Sequence, residues 1–278
     1  MTDRIVYRNV LILMPVAIIG MLIFPMPALL VDALIALNLF FALIIFFIAF
    51  RSKKIHYFPE SPTFVLLPLV FSLILNISAA RLILTKGTDF DGWLIRSGSS
   101  LVAGSGEIVH LVAGFVTFVS IIVVLMVCIK KAVRFAEVAA RFTLDAMPGK
   151  QMLIDAELRS GTIDENEHNN QKMALQEKVD FYCSLDGVCK IFAKNERLRL
   201  IFIIVTILVG IFIGYMIYEK TIIDAIKTYL PFIIGNGILS MIPVFFCIVS
   251  INFIIVRLNH REYSRFNFFK AEKSKRLR

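Results

Sequence analysis

Charge is scarce in this sequence: 18% of its 278 residues are charged, against about 25% in an ordinary soluble domain. Hydrophobic residues make up 58%, more apolar surface than water can solvate. That imbalance excludes an ordinary soluble enzyme and leaves a polytopic membrane protein, in which about 20 consecutive apolar residues cross the hydrocarbon. Cysteine is rare as well. Cys128, Cys183, Cys189 and Cys247 form no disulfide framework and read as reduced packing residues. No secretory signal is visible: the first apolar run, starting near Val10, outlasts a signal core of about 7–15 residues and has no small-residue cleavage site.

Chemistry-bearing constellations are also missing. His56, His168 and His260 show no metal-ligand spacing to cysteines or carboxylates, and neither a nucleophile–base set nor a paired-carboxylate site stands out. The expectation is therefore a non-enzyme with no cofactor and no metal. Without an aromatic-interleaved basic patch, the net charge of +9 speaks for topology and attraction to anionic lipid in the bilayer, not for nucleic acid.

Long apolar runs are what the chain does have. Residues 10–50 are interrupted only by Asp32, Asn38 and the stretch from Phe24 to Pro27. That is too long for one span, and two prolines break a helix interior, so the run reads as spans 10–29 and 30–50 joined by a tight proline turn. Further spans are expected at 63–84, 106–129, 199–218 and 229–256. The fold class is all-α: a polytopic helical membrane protein of about six transmembrane helices with one cytoplasmic helical loop. Its expected parts are 1–129 (spans one to four), 130–198 (the loop), 199–256 (spans five and six) and 257–278 (a basic cytoplasmic tail). Of 30 Lys and Arg, 25 fall in 1–9, 51–56, 130–199 and 257–278. The positive-inside rule then puts both termini and the loop in the cytoplasm.

The loop is the place to look for function, because a polar connection of that length is uncommon. The fourth span continues past Lys130 and Lys131, and Phe135, Val138, Ala139 and Phe142 form an i, i+3, i+4, i+7 stripe that predicts an amphipathic stalk. Pro148-Gly149 is expected to break it. A short helix over 150–160, stopped by Gly161, and a third over 165–194 with Met173, Leu175, Val179, Tyr182 and Leu185 on one face should follow.

The string from Ala139 to Met152, which contains Arg141, Asp145, Pro148, Gly149 and Lys150, followed by Ile154-Asp155-Ala156, resembles the signature of the FHIPEP export-gate family of bacterial type III secretion. Asp180-Phe181-Tyr182, running to Asp186-Gly187 and Lys190, resembles the family's next block and leans toward its flagellar branch. The stretches from Pro25 to Asn38, Ala80-Arg81 and Ile234 to Pro243 are similar to its first, third and sixth spans. The resemblance implies a membrane component of a flagellar-type export apparatus in the bacterial inner membrane. It also implies other export-apparatus membrane subunits as partners, and a ring of its own copies.

There are departures from the family pattern. Ser72 stands where the family has an arginine in the third span, Asn195-Glu196 where it has Gly-Asp before the fifth, and Asn236 where it has an aspartate in the sixth. Two further spans and the family's large cytosolic domain have no counterpart, so the resemblance implies a truncated, partly degenerate member. The expectation is that this chain alone does not support proton-driven export, because two charged positions are lost together.

Individual residues keep two readings each. Lys150, Asp155 and Glu157 are solvated charges near a helix start or, as the resemblance implies, part of a loop that turns proton flux into conformational change. Asp32 sits in an interfacial turn or faces a partner inside the membrane, and Arg81 raises the same choice. Asn236 cannot titrate but can hydrogen-bond between helices. Glu107 and His110, one turn apart, read as an interfacial pair in preference to a proton relay or a metal site. A small proton- or ion-coupled carrier using Asp32, Arg81 and Glu107 is the alternative function, and a passive membrane scaffold is a third.

Overall fold

The computed structural model describes Gly20 and residues 26–51, 61–87, 92–104, 108–219 and 221–276. Those residues form six helices and no strand: α1 (Ala28–Arg51), α2 (Ser61–Lys86), α3 (Trp93–Ala103), α4 (Ile108–Arg159), α5 (Glu165–Met216) and α6 (Ile222–Arg276). All but α3 are long and apolar enough to cross a membrane. The 24 residues of α1 extend about 36 Å, enough for a hydrocarbon core of about 30 Å. Most of the expected first span, 10–29, lies outside the described residues, as do Glu107 and the side chains of His56 and His260.

Prolines behave as expected at one end of the chain and against expectation elsewhere. Pro27 precedes α1, and its carbonyl accepts the N–H groups of Leu30 at 3.0 Å and Val31 at 3.2 Å; Phe24 and Pro25 of the expected turn lie outside the described residues. Pro148, by contrast, does not break the loop helix: α4 runs through it without interruption to Arg159. The proline removes one backbone bond, a local cost of about 3 kcal/mol. The neighbours Ala146, Met147, Lys150, Gln151, Met152 and Leu153 are all good helix formers and carry the helix across it. The expected separate helix at 150–160 is therefore the end of α4. Its stop at Gly161 stands, with φ +71°. The expected third loop helix begins at Glu165 but does not end near 194, because α5 continues into the fifth span. Helix α6 starts earlier than expected, at Ile222, passes Pro231 and Pro243, and continues through most of the basic tail.

The chain divides into two compact units. The first comprises Met1–Leu43, Leu67–Val127 and Lys194–Phe245, and its helices meet at glycines. A Cβ on Gly98 of α3 would stand 2.9 Å from the Gly235 carbonyl oxygen of α6, and one on Gly214 of α5 would stand 2.7 Å from the Ala225 Cβ. Small residues are what let helix backbones approach this closely in a membrane.

The second unit comprises Ile44–Leu66, Cys128–Ala193 and Phe246–Arg278. Its centre is an antiparallel hairpin of the two long helices, turning at 160–164. The expected stripe does not pack within this chain. Phe135, Val138 and Phe142 are exposed, and the buried face of α4 is Ile129, Ala132, Ala136, Ala140 and Thr143. On α5 the face is Leu175, Val179, Tyr182, Leu185, Cys189 and Phe192, as expected except that Met173 is exposed. The buried face of α4 is small and that of α5 is large, with Tyr182 and Phe192 enclosed. In the same unit Phe46 and Phe50 of α1 meet Phe246 and Phe253 of α6, with ring centroids 5.6 and 5.3 Å apart.

Candidate functional site

Three helices of the first unit each turn two polar side chains inward, one helical turn apart. Helix α2 supplies Ser72 and Asn76, α6 supplies Asn236 and Ser240, and α5 supplies Glu196 and Arg199, all buried. Residues three or four apart share a helix face, so each pair points the same way and three polar faces converge. A polar group in this setting is costly unless it is paired.

The pairing is dense. Asn236 Nδ2 donates to Asn76 Oδ1 at 2.8 Å, and Asn76 Nδ2 donates to Ser240 Oγ at 3.4 Å. Ser72 Oγ donates to the Ser240 carbonyl at 2.9 Å. The same carbonyl accepts Arg199 Nη1 at 2.6 Å, and Arg199 Nη2 donates to Ser72 Oγ at 3.0 Å. Asn195 Nδ2 donates to the Leu69 carbonyl at 3.4 Å. Glu196 Oε1 lies 3.4 Å from Arg199 Nη2 as an ion pair without hydrogen-bond alignment, and Glu196 Oε1 and Arg199 Nε have no hydrogen-bond partner among the described residues. Arg199 is wholly enclosed, at 0% exposure. Such an arrangement holds a fixed positive charge beside a carboxylate with spare acceptor capacity.

One of the two missing charges has a substitute in space, while Asn236 remains neutral. A guanidinium does stand at Ser72, but it arrives from α5. Asn236 plays the interhelical hydrogen-bonding role expected of it. The sequence reading missed Arg199, Asn76 and Ser240. The i, i+3 spacing of Glu196 and Arg199 at the head of an apolar run, and the i, i+4 polar pairs inside two other runs, were the available signals.

The other intramembrane candidates sit elsewhere in the first unit. Asp32 faces a partner: its Oδ2 accepts the Leu94 N–H at 3.0 Å, in the first turn of α3, whose own N-cap, Gly92, offers no side chain. A carboxylate there complements the exposed N–H groups and the positive end of the helix dipole. Asn38 is buried beside the cluster, and Arg81 lies on an exposed face of α2. His110 is exposed and packs against Gly104.

The signature residues belong to the second unit and do not converge on one point. Arg141, Asp145, Pro148, Gly149 and Lys150 are exposed along α4, and Arg141 stands 3.5 Å from Glu137. Asp186 accepts Lys190 Nζ at 2.7 Å. Asp155 is different: one of its oxygens, Oδ1, contacts His168 Nε2 at 2.8 Å and Lys172 Nζ at 2.9 Å. Hydrogen bonds from His168 and then Lys172 hold the Asp155 carboxyl below the usual carboxylate range. These contacts clasp the end of α4 to the start of α5. Among the described residues no group of three or more His, Cys, Asp or Glu could hold a metal ion.

Residues 18–270 match the FHIPEP family. The flagellar biosynthesis protein FlhA of Borreliella burgdorferi is 41% identical over 236 residues, covering 84% of this chain and 34% of that protein. FlhA of Treponema pallidum is 37% identical over 92% of this chain and 36% of its own length. The invasion protein InvA of Salmonella typhimurium is 38% identical over 90% of this chain and 36% of its own length. The chain thus spans about a third of the length of these curated relatives. No solved structure matches it.

Proposed function

Because the chain belongs to the FHIPEP family, we propose that it is a membrane component of a bacterial type III protein export apparatus, of the flagellar type. The observation that carries the proposal is the match over residues 18–270, which takes in all five long apolar helices from Ala28 to Ile255 and the loop signature together. Two of the relatives are flagellar biosynthesis proteins, which favours the flagellar branch over the injectisome branch. Family membership favours this reading over a small ion-coupled carrier.

The converged polar cluster is the working part of the membrane region in this proposal. Helices α2, α5 and α6 meet there through directional bonds, so a change in one bond forces the others to rearrange. Glu196 is its one carboxylate. With Oε1 free of hydrogen bonds and Arg199 fixed beside it, Glu196 is the group able to exchange a proton, whereas Asn236 cannot. The hairpin of the second unit supplies exposed signature residues for contacts with other export-apparatus membrane subunits and with further copies of the chain in a ring. The protein sits in the inner membrane, crossing it several times with the loop and both termini in the cytoplasm.

The test is deletion in the native host, scoring secretion of flagellar filament protein, followed by complementation with the wild type, Glu196→Gln and Asn236→Asp. Wild type alone should restore secretion, with Glu196→Gln reducing it severely although the protein still accumulates in the membrane. Unchanged secretion after deletion would overturn the export assignment. Full secretion with Glu196→Gln would remove Glu196 from its role. Cysteine labelling that placed residues 130–198 outside the cell would overturn the topology.

A further inference from the structure

A cavity of about 10 Å³ lies between α1, α2 and α6 of the first unit, lined by Asn38, Ser72, Asn76, Asn236, Leu239 and Pro243 among others. One side-chain acceptor at this place has no donor among the described residues, and one backbone acceptor lacks its helical donor. Asn38 is 2% exposed, and no described group donates to its Oδ1. Pro243 lies inside α6 and has no N–H, so it cannot make the helical bond to the carbonyl of Leu239, four residues earlier. Both Leu239 and Pro243 line the same cavity.

We propose that this cavity is a binding site for one water molecule, which donates one hydrogen to Asn38 Oδ1 and the other to the Leu239 carbonyl. The volume is about that of one water, and a ligand with two donor hydrogens matches two orphaned acceptors. A metal cation fits the site worse. Its side-chain lining is neutral, and Arg199 places a fixed positive charge on Ser72 and the Ser240 carbonyl, residues of the same wall. Proline-containing membrane helices rely on such waters to satisfy freed carbonyls. The water ties α1, which has no direct hydrogen bond to the cluster through Asn38 Oδ1, to the α2–α6 seam. This inference does not rest on the proposed export function.

The experiment is X-ray hydroxyl-radical labelling of the full chain in lipid nanodiscs, read residue by residue by mass spectrometry. A resident water generates radicals in place, so Ile35 and Pro243 at the cavity should label several-fold faster than Ile74 and Leu82, which are about as buried as Ile35 but do not line it. Asn38→Leu, which fills the cavity, should remove that excess. Pro243→Ala, which restores a donor to Leu239, should lower it. Replacing sodium with choline should change nothing. Equal slow labelling of all four residues in the wild type would overturn the proposal without reference to any variant. Labelling that rises when sodium is withdrawn would show a cation site instead.

Discussion

Arg199 Nη2 donates to Ser72 Oγ at 3.0 Å across 127 positions of sequence, which puts the buried positive charge of the membrane region on a helix other than the one where the family pattern places it. The same guanidinium stands 3.4 Å from Glu196 Oε1. Removing one member of a buried pair strands the other, typically at about 3–5 kcal/mol. Arg199→Leu is therefore expected to destabilise the detergent-solubilised chain by about that amount, measured by denaturant unfolding. The double variant Glu196→Gln with Arg199→Gln should cost less than the sum of the two single changes. Strict additivity would mean that the two charges do not depend on each other.

In the hairpin, the choice between two apolar stripes on α4 predicts opposite sensitivities. Ala136 and Ala140 face α5, whereas Phe142 is 69% exposed. Ala136→Leu should overpack the helix pair and cost about 1–3 kcal/mol, while Phe142→Ser should stay within about 0.5 kcal/mol. Thermal unfolding of the two variants checks this, and the reverse order would restore the stripe first read from the sequence.

Thiol labelling separates two cysteines one and a half turns apart. Cys183 is exposed and Cys189 is buried. Burial, reinforced by the negative charge of Asp186, pushes the Cys189 thiol up to about 12. At pH 8 its thiolate fraction is then roughly one in 10⁴. N-ethylmaleimide should modify Cys183 in the native chain and leave Cys189 untouched until denaturant is added. Equal rates for both would show that the α5 face toward α4 is open.

Asp155 sets a pH dependence whose sign follows from its contacts. A carboxyl held below its ordinary value by His168 and Lys172 contributes stability above the unfolded value, near 3.9, and loses it as pH falls through the lower folded value. Hydrogen-exchange protection of residues 150–159 at neutral pH should therefore be greater in wild type than in Asp155→Asn. The difference should begin to shrink near pH 4 and disappear only below the lowered folded value. Identical protection at neutral pH would mean that the clasp does not hold the hairpin tip.

The sequence by itself determined where the apolar helices run, that α1 begins after Pro27, and that α4 stops at Gly161. Each follows from local chemistry: hydropathy belongs to single residues, a proline constrains its own turn, and a glycine at φ +71° is legible as a stop. The tertiary structure alone decided three other matters. Pro148 is tolerated because the helix around it is good enough to bridge one missing bond. Phe135 and Phe142 are exposed while the alanine face of α4 is buried, and one helix's periodicity cannot rank two overlapping stripes. Arg199 meets Ser72, and Ser72 meets the Ser240 carbonyl, across separations of 127 and 168 residues. No local pattern carries such a distance, because it is the crossing of three helices that brings isolated polar residues within hydrogen-bond reach where water is excluded.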